Sequence, residues 1–273
     1  MTADMLPIAI ISPLGGTGRT TLAAHLATLL ATRGAPCLAI DLCAQNMLGQ
    51  HLGMQQPTAL GWAGLAAEGK WWGQAALINS DAVNILPFGT VDLSALDALQ
   101  REWALTPEWL GRRLTALEVA AGTAMVLDTP TWPAPLARQA LQAARIVLVV
   151  LEASARACQA QKMVALALAL APPGAQCAIV INRVDPRRPA QRSALQALRS
   201  QWDSLLLPYT VHEDENLAQA AEHATSVFTW APHAQASHDL QGIGNWLLEY
   251  CPSIQLTPSA PLAPMAAIAA TLP

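Results

Sequence analysis

With 273 residues, 53% of them hydrophobic and only 12% charged, the chain can fill a large buried core and is long enough for one large α/β domain or two small ones. The formal net charge is −4, and the only lysines are Lys70 and Lys162, which argues against a protein that coats nucleic acid through a broad basic surface. Cys37, Cys43, Cys158, Cys177 and Cys251 are scattered without a C-x-x-C pair, which argues against a disulfide framework or a structural zinc site and fits a reducing cytoplasm.

In chain order, the start "MTADMLPIAIIS" lacks a basic n-region and a small-residue cleavage site, and no apolar run approaches a membrane span, so a soluble cytoplasmic protein is expected. "PIAII" (7–11) reads as a buried strand. It runs into "SPLGGTGRTTL", and a helix begins at about Arg19, with Leu22, Leu26, Leu29 and Leu30 at helical spacing and Gly34 at its C-terminal end. Further strands are expected at 36–41, 82–86, 124–128, 146–151, 177–181 and 205–211, and further helices at 107–120, 155–170, 189–201, 215–222 and 236–250. The strands show no apolar/polar alternation, as a sheet covered on both faces requires, and they alternate with helices. The expected fold is therefore a doubly wound, mostly parallel α/β sheet with helices on both faces. Residues 1–252 read as one domain. Residues 253–273, rich in Pro and Ala, read as a disordered tail without the basic face of a membrane anchor.

The strict phosphate-loop pattern G-x-x-x-x-G-K-[ST] is not met: Pro13 stands at its first glycine and Arg19 at its lysine. The physical context remains. An apolar strand enters Gly15, Gly16 and Gly18, whose backbone N–H groups can curl around an anion at a helix N-terminus. Thr20 is placed to offer its hydroxyl to magnesium. Asp41 and Asp128 close the second strand and the "AMVLD" strand, where a carboxylate can hold the water shell of a phosphate-bound Mg²⁺. Either aspartate alone reads equally as a cap or turn residue; following a glycine loop in this order, they point to a nucleotide site.

"PLGGTGRTTLAAHLA", "AIDLCAQN" and "MVLDTP" resemble the deviant Walker A, switch I and switch II segments of the MinD/ParA family of P-loop ATPases, over residues 5–250. Within that family, "GWAGLAAEGKWWGQAALINSDAVNILPFG" (Gly61–Gly89), "HEDENLAQA" and "NWLLEY" are similar to the BcsQ subgroup of bacterial cellulose biosynthesis. The resemblance implies that Gly15, Gly16, Thr17, Gly18, Arg19, Thr20 and Thr21 wrap the phosphates of ATP, and that Thr20, Asp41 and Asp128 serve Mg²⁺. It also implies that Asn182 reads adenine and that Arg19 and Asp41 occupy catalytic positions. Two further departures stand out: the family's signature lysine corresponds to Leu14, and Cys43 replaces the aspartate that positions water in hydrolysing relatives. The resemblance thus implies an ATP-sandwiching homodimer with slow or absent hydrolysis, acting on a cellulose synthase and secretion complex. Its implied partners are BcsR, BcsE and the membrane synthase, with peripheral recruitment to the inner membrane. A ParA/MinD-type positioning ATPase and a scaffold that has lost nucleotide binding are the alternatives.

Nine tryptophans outnumber two tyrosines and two phenylalanines. Trp71–Trp72, in the polar stretch "EGKWWGQ", reads as an interface anchor or as core. Arg183, Arg187, Arg188 and Arg192 read as a solvated loop or as a partner or nucleotide contact, and Asp214 with Glu215 reads as a helix start.

Overall fold

Apolar runs of Val, Ile and Leu form a sheet whose strands are buried on both faces, as the absence of alternation requires. The computed structural model describes residues 5–249. Strand β1 (Leu6–Ile11) leads through the glycine loop into α1 (Arg19–Thr32), and β2 (Cys37–Asp41) follows. Helices α2 (Leu48–His51) and α3 (Trp62–Ala67) and a 3-10 turn (Trp72–Ala75) precede β3 (Leu77–Ile78) and β4 (Asn84–Leu86). Next come α4 (Leu93–Leu105), α5 (Trp109–Thr115), β5 (Ala124–Asp128), α6 (Pro135–Ala143) and β6 (Ile146–Glu152). Helices α7 (Ala155–Gln159) and α8 (Gln161–Ala169), β7 (Gln176–Val184), α9 (Pro189–Trp202) and β8 (Leu206–His212) continue the pattern. Helices α10 (Glu215–Glu222), α11 (Val227–Trp230) and α12 (Gln235–Glu249) end the described chain.

The sheet has eight strands in the order β3-β4-β2-β5-β1-β6-β7-β8. All pairings are parallel except β3 with β4, an edge pairing of two residues too short to show in the sequence. Alternate residues of each strand enter opposite layers. Ile8, Ile10, Val126 and Leu148 pack with Leu26 and Leu30 of α1 and Ile243 of α12. Ala9, Ile11, Leu127 and Val147 pack on the other face with Leu136 of α6 and a group of tryptophans.

The seven longer strands lie where the sequence places them, whereas the helices depart from it at several points, and the short α2, α3 and α11 lie outside every expected helix. The stretch 155–170 is two helices joined at Ala160. The stretch 107–120 holds only α5, because the Thr115 hydroxyl donates back to the Gly111 and Arg112 carbonyls and the chain then turns Leu117 into the core. Helices α4 and α6 were not anticipated. Asp92 caps α4 by accepting from Ala95 N at 2.8 Å, and Pro135 opens α6 at a position where its missing N–H costs nothing. Gln139 of α6 staples this region: its buried carboxamide accepts from Leu110 N at 2.7 Å and donates to the Trp103 and Thr106 carbonyls at 2.6 and 3.0 Å.

No helix among the described residues is long and apolar enough to cross a membrane. The expected tail, 253–273, lies outside the described residues.

His25 joins α1 to α11. Val227 N donates to its Nε2 at 3.0 Å, so Nε2 carries no proton, and Nδ1–H donates to the Thr21 carbonyl at 2.7 Å. Burial lowers its pKa to about 4, against the Thr21 hydrogen bond, which raises it; nearby His51 lowers it further. The unfolded chain therefore takes up this proton first as pH falls below 6.5, and stability decreases from there towards about pH 4. The full effect is about 3 kcal/mol. Urea melts across this range should show that slope in the parent and a flatter profile in His25→Gln; matching slopes would mean that His25 does not set it.

Candidate nucleotide site

Open α/β sheets bind ligands at the carboxyl ends of their strands, near the point where strand order reverses. Here β1 sits between β5 and β6, and the loop that leaves β1 lies at that edge. Asp41 and Asp128 end neighbouring parallel strands and are directly in register. Two residues before them, Ala39 and Val126 pack in the α1 layer, so alternation turns both carboxylates towards α1.

The loop is stitched to β5 and β7. Thr129 Oγ1 donates to the Ile10 carbonyl at 2.7 Å, and Trp132 N donates to the Ser12 carbonyl at 2.9 Å. Asn182, at the end of β7, donates from Nδ2 to the Thr17 carbonyl at 2.7 Å. Gly18 is required at this point: its φ is +87°, and a Cβ there would lie 2.2 Å from Asn182 Nδ2. Above Gly15 and Gly16, by contrast, an added Cβ would meet nothing within 4 Å. Arg19 Nη2 donates to Thr131 Oγ1 at 3.1 Å, while its buried Nη1 has no hydrogen-bond partner. Thr17 Oγ1 and Asp128 Oδ1 are likewise buried without partners.

Asp41 is held by backbone donors. Cys43 N donates to its Oδ1 and Leu48 N to its Oδ2, both at 2.9 Å, and Trp62 Nε1 donates to its carbonyl at 2.7 Å. Burial nevertheless pushes its carboxyl above the usual range, against the pull of those backbone N–H groups. Asp128 is pushed up further, first by burial and then by the charge of Asp41; the Thr20 hydroxyl and Arg19 pull the other way. Burial, followed by both aspartates, drives the Cys43 thiol far up, so it is a neutral thiol and no substitute for a carboxylate that orients water. Two buried carboxylates side by side form a site that favours a cation.

A cavity of about 370 Å³ opens beside the loop, lined by Gly18, Thr21 and Asn182 together with His51, His212 and Glu213. The sequence assigns no site role to the last three, nor to Trp62, Thr129 and Thr131, although His212 and Glu213 open "HEDENLAQA", Trp62 lies in "GWAGL", and the threonines follow Asp128 directly. The predicted loop residues 15–21, Asp41 and Asp128 do come together. Asn182 flanks them, with one side-chain N–H already engaged by the loop. Leu14 is half-buried and packs against the tryptophan-lined core. The arginine-rich loop is charge-paired: Arg187 and Arg188 reach Asp185 at 2.9 and 3.2 Å, and Arg188 also reaches Glu213 at 3.4 Å. Asp214 does start α10, accepting from Asn216 N at 3.0 Å, and also accepts from Ala236 N of α12 at 3.1 Å.

The sheet order, with a glycine loop after β1 and paired strand-end aspartates, gives the chain the fold of MinD-type proteins. Among solved structures, the chain is similar to the septum site-determining protein MinD of Pyrococcus horikoshii complexed with Mg-ADP: TM-score 0.71 and 19% identity, over 90% of this chain and 97% of that one. Cobyrinic acid a,c-diamide synthase of Mycobacterium smegmatis, with bound ADP and magnesium, gives TM-score 0.71 and 17% identity over 94% and 99% of the two chains. The family model of the cellulose biosynthesis protein BcsQ matches residues 5–248, and the chain belongs to that family. BcsQ of Salmonella typhi is 28% identical over 236 residues, covering 86% of this chain and 90% of that protein.

Gly18→Ala should cost about 1–3 kcal/mol through its left-handed φ, with the Asn182 clash added. Adding Asn182→Ala should recover the clash but not the backbone term. Denaturant melts of the two single variants and the double variant test this, and a Gly18→Ala variant as stable as its parent would contradict the loop geometry.

Proposed function

We propose that this protein is a nucleotide-gated regulatory or assembly factor of a bacterial cellulose synthase and secretion complex, binding ATP with Mg²⁺ and pairing with a second copy, with slow or absent hydrolysis. The observation that carries the reading is the set of orphaned buried atoms, Thr17 Oγ1, Arg19 Nη1 and Asp128 Oδ1, beside a glycine loop with open space above Gly15 and Gly16. A native structure rarely leaves such groups without a partner unless a ligand, ion or water supplies one. A phosphate accepts from Arg19 and from loop N–H groups, and a metal ion neutralises the aspartates.

In this reading, residues 15–21 bind the phosphates at the N-terminus of α1, Thr20 ligates the ion, and Asp128 and Asp41 hold its water shell. Bound magnesium supplies charge neutralisation between phosphate and carboxylate oxygens. Asn182 and the adjoining cavity receive the base. Arg19 keeps the positive charge of the missing lysine in a planar fork of different reach. Phosphoryl transfer depends on positioning and charge stabilisation, so Leu14 and Cys43 weaken turnover far more than binding. Membership of the BcsQ family supports the cellulose assignment. BcsR, BcsE, the membrane synthase and recruitment to the inner membrane enter with it as the expected partners and place of action. The charge pairing of the Arg187–Arg188 loop weighs against a DNA-tracking role.

Calorimetry with Mg-ATP, combined with light scattering, tests the proposal. Mg-ATP at a hundredfold excess over its Kd should stabilise the fold by about 2.7 kcal/mol, and the mass should double. Asp128→Asn removes a buried carboxyl whose ionisation is opposed by burial and by Asp41, so the ligand-free variant should melt higher than the parent yet gain less from Mg-ATP. No binding and no change of mass would leave the scaffold reading.

A further inference from the structure

We propose that Asp41, Cys43 and Asp128 form a direct-coordination site for one thiophilic divalent cation of the zinc, cobalt or cadmium class, separate in chemistry from the water-shelled magnesium expected with nucleotide. One ligand atom from each of the three buried side chains lies within 4.8 Å of the others. A tetrahedral ion with bonds of roughly 2.0–2.3 Å holds its ligands roughly 3.3–3.8 Å apart, so small side-chain rotations close the site. Asp128 Oδ1 is buried without a hydrogen-bond partner and so has a free position for an ion.

The remaining geometry is compatible with coordination. The Asp41 carboxylate accepts backbone N–H groups from Cys43 on Oδ1 and Leu48 on Oδ2, with Met47 N–H also against it, which leaves one of its four lone pairs for an ion. Those N–H groups fix the carboxylate's orientation, as outer partners of metal ligands do. Cys43 Sγ lies 3.8 Å from the Asp128 carbonyl, so sulfur faces the same strand end. The Thr20 hydroxyl, already against Asp128, or a water completes four ligands. A thiol is a poor partner for magnesium, which prefers oxygen ligands and keeps much of its water, whereas sulfur beside two carboxylates favours a softer ion. Binding replaces the thiol proton with a metal–sulfur bond and releases that proton to solvent. Occupancy would draw Asp41 and Asp128 onto the ion and away from a nucleotide-bound magnesium. The proposal does not rest on nucleotide binding.

Cobalt(II) titration of the reduced, nucleotide-free full chain tests it. The expected result is a thiolate-to-cobalt charge-transfer band saturating at one ion per chain, with release of the thiol proton and of any proton still held by Asp41 or Asp128. Cys43→Ser should remove the band, and Asp128→Asn should weaken binding by at least about tenfold, the scale set even by outer-partner losses. Replacing Cys158, Cys177 and Cys251 by serine together should leave the spectrum unchanged. Circular dichroism of Cys43→Ser separates loss of a ligand from loss of fold. A parent protein without the band, a band that survives in Cys43→Ser, or cobalt held with an all-oxygen spectrum would each overturn the proposal. Mg-ATP stabilisation, measured on the cobalt-free protein, reports the nucleotide reading separately.

Discussion

Two carboxylates in register on adjacent parallel strands set the terms for everything around them. Asp41 and Asp128 are forced together by the β2–β5 pairing and turned to the same face by strand alternation. Neither can reach bulk water, and each raises the energy of the other's charge. The fold accommodates this with fixed dipoles: the backbone N–H groups of Cys43, Met47 and Leu48 on Asp41, the Thr20 hydroxyl on Asp128, and the Arg19 guanidinium nearby. These contacts are too few to satisfy both groups, since Asp128 Oδ1 is left bare. Such an arrangement gives up stability in the free protein in return for affinity towards positive charge.

The strand end is also anchored from below. Trp62 donates to the Asp41 carbonyl, and its ring sits 4.6 Å from Trp72 and 4.9 Å from Phe88, with Trp103 and Trp109 completing the cluster. Trp62 reaches this position because α3 enters over the strand-end segment at Pro87–Gly89: Trp62 N and Ala63 N donate to the Pro87 and Phe88 carbonyls, and a Cβ on Gly61 would lie 2.2 Å from Gly89 N. The "GW…LPFG" pattern is thus a close backbone crossing with an aromatic plug behind it. One position of the pair Trp71–Trp72 joins that plug while its neighbour stays exposed, so a single dipeptide holds both fates open to a tryptophan.

What the sequence revealed and what it hid follow from the range of each interaction. The strands were legible because Val, Ile and Leu runs answer to a local demand, burial on both faces. The glycine loop and the aspartates were legible because their meaning depends only on order along the chain. Helix α4 was missed although Asp92 marks its start; little more than Leu99 and Trp103 of its surface is buried. Helix α6 was hidden among Pro130, Pro133 and Pro135, although one of these is its proper first residue. The Trp62–Asp41, Arg19–Thr131 and Asn182–Thr17 contacts could not be read at all, since nothing local announces a partner 21, 112 or 165 positions away.

The unusual residues of the site differ in physical kind, and that difference separates holding a ligand from acting on it. Arg19 keeps a positive charge at the start of α1, in a planar fork whose Nη2 donates to Thr131 Oγ1 and whose buried Nη1 has no partner. Leu14 is apolar and packs against the tryptophan-lined core. Cys43 exchanges a charged acceptor for a buried neutral thiol, which leaves the backbone contact to Asp41 intact, because that contact uses Cys43 N and not its side chain. The scaffold of the site is therefore insensitive to the very substitution that alters its chemistry. A strand end assembled from backbone donors and strand register can exchange side chains such as that of residue 43 and still keep its pair of carboxylates in place.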